Sequence, residues 1–176
     1  MKISHAMIDL ETMGVVPGCA IVSIGVVIFD PRINVVTNKT FYRELDWQNQ
    51  DRFIDPDTMT KFWDKQPEDI REALYGLDDL EEILVELGEF LPKDCKVWGN
   101  GATFDISILE NAYLQHNMET PWKFWNVRDC RTIKDMYESA RGGFDKKVGK
   151  GAHNALHDAI FQAQYVCEMW KALLYR

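Results

Sequence analysis

Four acidic residues and one histidine are the side chains in this sequence best suited to chemistry on a phosphate group. Asp9 and Glu11 alternate within an otherwise apolar run, so they project from the same face of a predicted strand. Asp105 begins a helical segment, and Asp158 lies near the start of the last helical segment, five residues after His153. Clustered carboxylates repel one another unless cations lie between them, and Mg²⁺ and Mn²⁺ prefer such oxygen ligands. These residues predict a divalent-metal site if the fold brings them together.

The elements that must position these residues follow from hydrophobic periodicity. The predicted strands cover 6–11, 20–30, 35–42, 96–100 and 126–130. The predicted helices cover 55–63, 67–74, 77–91, 104–116, 131–140 and 154–174. Turn residues at 30–34 make the second and third strands a hairpin beside the first. This order predicts an α/β fold with a mixed sheet, three antiparallel strands and then two further strands, flanked by helices in a ribonuclease-H-like outline.

In such a sheet, functional groups gather at strand ends and helix starts, which is where the four acids fall. Two metal ions about 3.5–4 Å apart can hold the attacking and leaving oxygens of a phosphoryl transfer. Taken alone, each residue also has an ordinary explanation. An aspartate at a helix start, such as Asp105, is commonly a cap, and His153 has the alternatives of a cap or a surface position.

Composition and charge limit the functional classes. With 176 residues and 46% hydrophobic content, the chain is expected to form a single domain over residues 1–176. Four widely spaced cysteines form no CxxC pair, which argues against a disulfide framework or zinc knuckle and favours a reducing cytoplasm. No apolar run approaches the roughly 18 residues of a membrane span. The net charge of −8 disfavours a protein that coats long nucleic acids, but it is compatible with an enzyme that contacts a chain end.

Three motifs carry a family resemblance. DLE at 9–11, NGATFD at 100–105 and HNALHD at 153–158 resemble the exonuclease motifs of the DEDD superfamily, in the subclass that has a histidine five residues before the last aspartate. The small size of the chain, the FWDKQ stretch at 62–66 and the IDPDT that precedes it look closer to stand-alone phage exonuclease A, exodeoxyribonuclease-VIII-like or mycobacterial exoribonuclease proteins than to polymerase proofreading subunits. The resemblance implies a 3′–5′ exonuclease that uses two ions, Mg²⁺ or Mn²⁺, and releases nucleoside monophosphates. It implies the metal ligands Asp9, Glu11, Asp105 and Asp158, and the general base His153.

The resemblance also implies a binding surface for the terminal nucleotide of a 3′ end. Thr12, Met13 and Gly14 follow the first motif, where relatives usually carry a Thr-Thr-Gly or Met-Thr-Gly run, and this segment is expected to face that nucleotide. Asn100 and Phe104, within the second motif, are expected to contact the substrate as well.

A basic, glycine-flanked segment at 141–153 has two interpretations. One is a solvated connection, and the other is a flap in which Arg141, Lys146 and Lys147 contact phosphates and which carries the histidine at its end into position. Phe62 and Trp63 could stack on a base. A position in the core or in a homodimer interface is favoured for this pair.

Three alternatives remain open at this stage. His153 and His157 have the i, i+4 spacing of a helical zinc peptidase, but Asn154 replaces the glutamate that would act as base. A catalytically inactive nuclease fold that binds a partner is another alternative. For the substrate, RNA is favoured over DNA because Glu11 or Thr12 could accept a hydrogen bond from the 2′-hydroxyl group; the alternative is a 3′–5′ exodeoxyribonuclease.

Overall fold

The computed structural model describes residues 3–143 and 153–174. Five strands form one sheet: β1 His5–Thr12, β2 Ile21–Asp30, β3 Val35–Glu44, β4 Lys96–Gly99 and β5 Val127–Asp129. Their order in the sheet is β3-β2-β1-β4-β5. The first three strands pair antiparallel, whereas β4 and β5 run parallel to β1. The predicted mixed sheet of three antiparallel strands and two further strands is confirmed.

Helices cover both faces of this sheet. The α-helices are α1 Pro56–Lys61, α2 Glu68–Arg71, α3 Leu80–Phe90, α4 Asp105–Gln115, α5 Cys130–Arg141 and α6 Ala155–Leu174. Short 3₁₀ turns cover Trp47–Asn49, Trp63–Lys65, Glu72–Tyr75 and Phe124–Asn126. None of the helices in the described ranges is long and apolar enough to cross a membrane.

Two predicted helices, over 55–63 and 67–74, are shorter in the structure. Each is one α-helical stretch followed by a 3₁₀ turn. Pro67 separates them because proline disfavours a helical conformation at the residue before it and has no N–H to donate. The side chain of Trp63 anchors the 3₁₀ turn Trp63–Lys65, since its Nε1 donates a hydrogen bond to the carbonyl oxygen of Thr12 (3.2 Å).

The central strand β1 is buried on both faces. Ala6, Ile8 and Leu10 pack in the core under α3 and α4. Met7 packs in the opposite core, which α5 and α6 cover. Because successive side chains of a strand point to opposite faces, Asp9 and Glu11 share the face of Met7 and are directed towards α6.

A third cluster lies beside the end of β1 and contains Trp63, which is fully buried. Of the alternatives for Phe62 and Trp63, a core position is therefore confirmed for the tryptophan. Phe62 is half-buried and packs against this cluster from the side of the cavity described below.

Candidate active site

The ends of β1 and β4 and the starts of α4 and α6 surround one cavity of about 610 Å³. The four predicted metal ligands and the predicted base all line it: Asp9, Glu11, Asp105, Asp158 and His153. Four of the predicted substrate contacts also line it: Thr12, Gly14, Asn100 and Phe104. Residues that are up to 149 positions apart in the sequence, Asp9 and Asp158, thus meet in one place.

Asp105 reaches β1 through the tight connection between β4 and α4. Its side chain is 3% exposed, and its Oδ1 accepts a hydrogen bond from the backbone N–H of Leu10 (3.2 Å). Gly99 makes room for this carboxylate, since a Cβ atom at that position would lie 3.0 Å from Asp105 Oδ2. The glycine that ends β4 therefore helps to set the position of the acid that begins α4.

The start of α6 packs directly on β2. Gly25 pairs with Asp9 across the β1–β2 ladder, and a Cβ atom at Gly25 would lie 2.1 Å from the carbonyl carbon of Ala155. Only a glycine permits this approach, which places the first turns of α6 beside β1. Gln162, four residues after Asp158, donates a hydrogen bond from Nε2 to Asp9 Oδ1 (2.6 Å) and is 4% exposed. Gln162 thereby fixes the orientation of the Asp9 carboxylate.

His153 stands at the mouth of the cavity, just before α6. Its backbone N–H donates to Asp158 Oδ2 (2.8 Å), and its ring meets the ring of Phe62 edge-on at 5.1 Å between centroids. One ligand atom each from Glu11, His153 and Asp158 lie within 4.8 Å of one another. The backbone of His153 has a φ of 70°, in the left-handed region that few non-glycine residues adopt. Its contacts to Asp158 and Phe62 thus hold an uncommon conformation that keeps the imidazole beside the carboxylates.

Burial and mutual repulsion raise the pKa of the acids on the cavity floor. Burial, followed by the charges of Asp158 and Asp105, raises the pKa of Glu11 to about 9. Burial raises the pKa of Asp105 to about 7, although backbone N–H groups and Arg131 act in the opposite direction. The pKa of Asp9 is also raised, by burial and then by Asp105 and Glu11. Without a cation, these carboxyl groups resist ionisation because their charges repel one another. A bound divalent cation would favour the ionised form of each ligand, so this set of oxygen donors fits such a cation.

These shifts predict how pH affects the metal-free protein. The pKa of Glu11 is about 9 in the fold and 4.5 ordinarily, so between these values the folded state holds a proton that the unfolded state has lost. The free energy of unfolding must therefore fall as pH rises. We expect the melting temperature in EDTA to decrease between about pH 5 and about pH 8, and less steeply in Glu11→Gln. A melting temperature that rises over this interval, or an unchanged slope in the variant, would contradict the assigned cause.

Two predicted substrate contacts lie elsewhere in the structure. Met13 is 1% exposed and packs in the third cluster; its N–H donates to the Ala20 carbonyl and its own carbonyl accepts from the Asp55 N–H (2.8 Å each). It is absent from the described cavity lining because both its side chain and its backbone are already engaged. This prediction is corrected: Met13 supports the fold of the segment that Thr12 and Gly14 present.

The prediction for Arg141 is corrected as well. Its guanidinium donates to the carbonyl oxygen of Ala172, about four turns or roughly 20 Å beyond Asp158 along α6. Arg141 therefore stabilises the far end of the α5–α6 pair. Lys146 and Lys147, with the remainder of the predicted basic flap, lie outside the described residues.

Among the cavity residues that sequence reasoning missed, Gln162 and Arg131 are the two that carry an amide or a charge. The position of Gln162 had a signal, since residues four apart on a helix share a face and Asp158 precedes it by four. No signal in the sequence indicated Arg131, because its place in the cavity depends on the packing of α5 against the loop after β4. The zinc-peptidase alternative finds no support: His153 lines the cavity, whereas the exposed His157 is not among the described residues that do so.

Known proteins resemble this chain in sequence and in fold. An exodeoxyribonuclease of Enterobacteria phage T4 is 27% identical over 193 residues, covering 86% of this chain and 82% of that protein. The structure of cell-death related nuclease 4 (CRN-4) superposes with a TM-score of 0.71 at 11% identity, covering 97% of this chain and 64% of that chain. The nuclease domain of 3′hExo, a DEDDh family member bound to rAMP, superposes with a TM-score of 0.61 at 14% identity. The superposition covers 97% of this chain and 92% of that chain. The two structures confirm the predicted ribonuclease-H-like fold.

A family model covers nearly the whole chain. The model of the 3′-5′ exoribonuclease Rv2179c-like domain matches residues 4–170, a range that contains all three motifs and every element that forms the cavity. The chain therefore belongs to the family of 3′-5′ exoribonuclease Rv2179c-like domains, which confirms its resemblance to 3′–5′ exonucleases.

Proposed function

We propose that this exonuclease removes single nucleotides from the 3′ ends of single-stranded nucleic acid or 3′ overhangs, with RNA preferred over DNA, and releases nucleoside 5′-monophosphates. The observation that carries this proposal is the meeting of four carboxylates and His153 in one cavity of about 610 Å³. That volume is within the range of about 300–1,000 Å³ that is typical of small-molecule sites. It suits one terminal nucleotide better than a stretch of duplex.

We assign the four acids to two divalent ions. The family implies divalent metal ions, and we propose Mg²⁺ or Mn²⁺ because Asp9, Glu11, Asp105 and Asp158 offer only carboxylate oxygens. Ions bound here would supply electrostatic stabilisation of the charge that develops on the attacking and leaving oxygens. Gln162 holds the Asp9 carboxylate in place for this purpose through its hydrogen bond (2.6 Å).

We assign His153 as the general base. Its imidazole stands beside Glu11 and Asp158 at the cavity mouth, where it can accept the proton of the attacking water. The water oxygen forms a bond to phosphorus, and the bond from phosphorus to the 3′ oxygen of the remaining strand breaks. The phosphate stays on the 5′ oxygen of the released nucleotide, and the departing 3′ oxygen takes up a proton to become the new 3′-hydroxyl group. Phe62, which contacts the His153 ring, restricts the orientation of this base.

The preference for RNA rests on Glu11 and Thr12. Both line the cavity, and the Thr12 hydroxyl donates its proton to the carbonyl oxygen of Gly14 (2.7 Å), which leaves its oxygen lone pairs to accept a hydrogen bond from a 2′-hydroxyl group. The family description as an exoribonuclease supports this choice. The phage relative, which is named an exodeoxyribonuclease, supports the alternative of a DNA substrate.

Matched oligonucleotides that differ only in the sugar of the 3′-terminal nucleotide test this preference. We expect faster single-turnover release of the terminal nucleotide when it carries a 2′-hydroxyl group than when it carries hydrogen. Thr12→Val, which keeps the shape of the side chain and removes the acceptor, should reduce the difference. Faster cleavage of the 2′-hydrogen end by the unaltered protein would instead establish the exodeoxyribonuclease alternative.

The chain is further proposed to act as one exonuclease domain in the cytoplasm, without a membrane partner. Four free and buried cysteines support a reducing compartment, because their thiols stay unpaired within the core. A homodimer stays a prediction. Trp63 is fully buried, so it would contribute no surface to a dimer interface. Light scattering of the purified chain measures its oligomeric state directly.

A further inference from the structure

One unassigned cation lines the catalytic cavity. Arg131 belongs to the first turn of α5 and, apart from His153, is the only basic side chain among the described residues of the lining. Its guanidinium makes no hydrogen bond or salt bridge with any residue in the ranges 3–143 and 153–174. Within these ranges, none of its five N–H donors is engaged by another group of the protein.

The loop after β4 holds this side chain in place. Asp129 accepts hydrogen bonds from the N–H of Thr132 (3.0 Å), which caps α5, and from the N–H of Ala102 (2.5 Å), which ties α5 to the loop. Gly101 in that loop has a φ of 105°, and a Cβ atom there would lie 3.3 Å from Arg131 Cζ. The guanidinium thus lies against the backbone of Gly101, whose positive φ favours glycine and whose missing Cβ atom leaves room for the arginine.

The floor and the wall of the cavity differ in burial. Asp105 and Glu11 are buried at the floor, whereas Arg131 is exposed on the wall. A linkage that is cut at the carboxylates places its own phosphate at the floor. Because the terminal nucleotide has a free 3′-hydroxyl, the one neighbouring phosphate of the substrate lies on the 5′ side. We therefore expect that phosphate to lie beside the wall of the cavity.

We propose that Arg131 binds the phosphate immediately 5′ to the linkage that is cut. This inference rests on the proposed 3′–5′ direction of hydrolysis. A guanidinium binds phosphate oxygens through two parallel N–H donors, and the contact is charge-assisted. In a protein with a net charge of −8, it gives the substrate backbone an attractive contact beside a cluster of acids that repels it. Arg131 is accordingly a substrate-binding residue that favours chains with a second phosphate.

Two diribonucleotides test the assignment, one with a 5′-hydroxyl and one with a 5′-phosphate. Only the second has a phosphate on the 5′ side of its linkage. We expect the unaltered enzyme to cut the phosphorylated form with a kcat/KM about 10- to 100-fold higher, the effect of one charge-assisted contact. In Arg131→Ala this ratio should fall to about 1, and Arg131→Lys should restore part of it.

The ratio compares two substrates on the same protein sample, so partial unfolding of a variant does not alter it. Arg128→Ala is the matched control, because Arg128 donates to backbone carbonyls near β5 and is not among the described cavity residues. The control should keep the ratio of the unaltered enzyme. An equal ratio in Arg131→Ala and the unaltered enzyme, or no preference in the latter, would overturn the role of Arg131. Failure of the unaltered enzyme to shorten any 3′ end would instead overturn the proposed function.

Discussion

Replacing Asp105 or Asp158 by asparagine should lower the rate of hydrolysis by at least about 10³-fold. Both side chains line the cavity floor or its rim, and an amide there removes the negative charge that a divalent ion requires. The protein should remain folded, since Asp105→Asn removes a buried charge that repels its neighbours. Single-turnover digestion of an end-labelled RNA with Mn²⁺, together with melting curves in EDTA, measures both effects.

Asp57→Asn is the matched control for these variants. Asp57 lies on the exposed side of α1, where it pairs with Lys61, and it is not among the described residues of the cavity. Its replacement should leave the rate within about twofold, because an exposed ion pair contributes little to the free energy of folding. Equal losses in Asp57→Asn and Asp158→Asn, or full activity in EDTA, would be inconsistent with a metal site built from these acids.

Replacing His153 by alanine should lower turnover by about 10²- to 10⁴-fold, the usual contribution of a general base. Metal binding should persist, because the four carboxylates are unchanged. The increase in melting temperature on addition of Mn²⁺ therefore separates loss of a base from loss of a metal ligand. Single-turnover rates at saturating metal complete the measurement.

His157→Ala, in the first turn of α6, serves as the control. His157 is exposed and is not among the described cavity residues, so His157→Ala should lower turnover far less than His153→Ala does. If turnover fell by the same factor in both variants, or if His153→Ala abolished the effect of Mn²⁺ on the melting temperature, the assignment of His153 as the base would be wrong.

Local pattern was sufficient to predict where the acids lie in the fold. Alternation in β1 places Asp9 and Glu11 on one face because a strand has a period of two, and the switch to helical periodicity placed Asp105 at the start of α4. The same alternation did not reveal that Met13 is buried. That outcome depends on the third cluster, whose Trp63 comes from a segment 50 residues further along the chain.

Contacts between distant segments explain what the sequence alone left undetermined. Arg131 lines the cavity because Asp129, at the end of β5, binds the loop after β4 through the N–H of Ala102, a long-range contact that no local pattern records. Arg141, although basic and close in sequence to the histidine motif, is directed to the far end of α6 by its hydrogen bond to Ala172. Charge and proximity in sequence were therefore poor guides to which side chains line the cavity, whereas spacing along strands and helices was a good one.

The most direct test of a metal-dependent 3′–5′ exonuclease is the digestion of a 5′-end-labelled single-stranded RNA beside a circular RNA of the same sequence. With Mg²⁺ or Mn²⁺ we expect the linear strand to shorten one nucleotide at a time from its 3′ end, with release of 5′-monophosphates, while the circle stays intact. EDTA and Asp158→Asn should each prevent this ladder. Cleavage of the circle, or release of the labelled 5′ nucleotide before the ladder forms, would contradict the assignment of this cavity to 3′ ends.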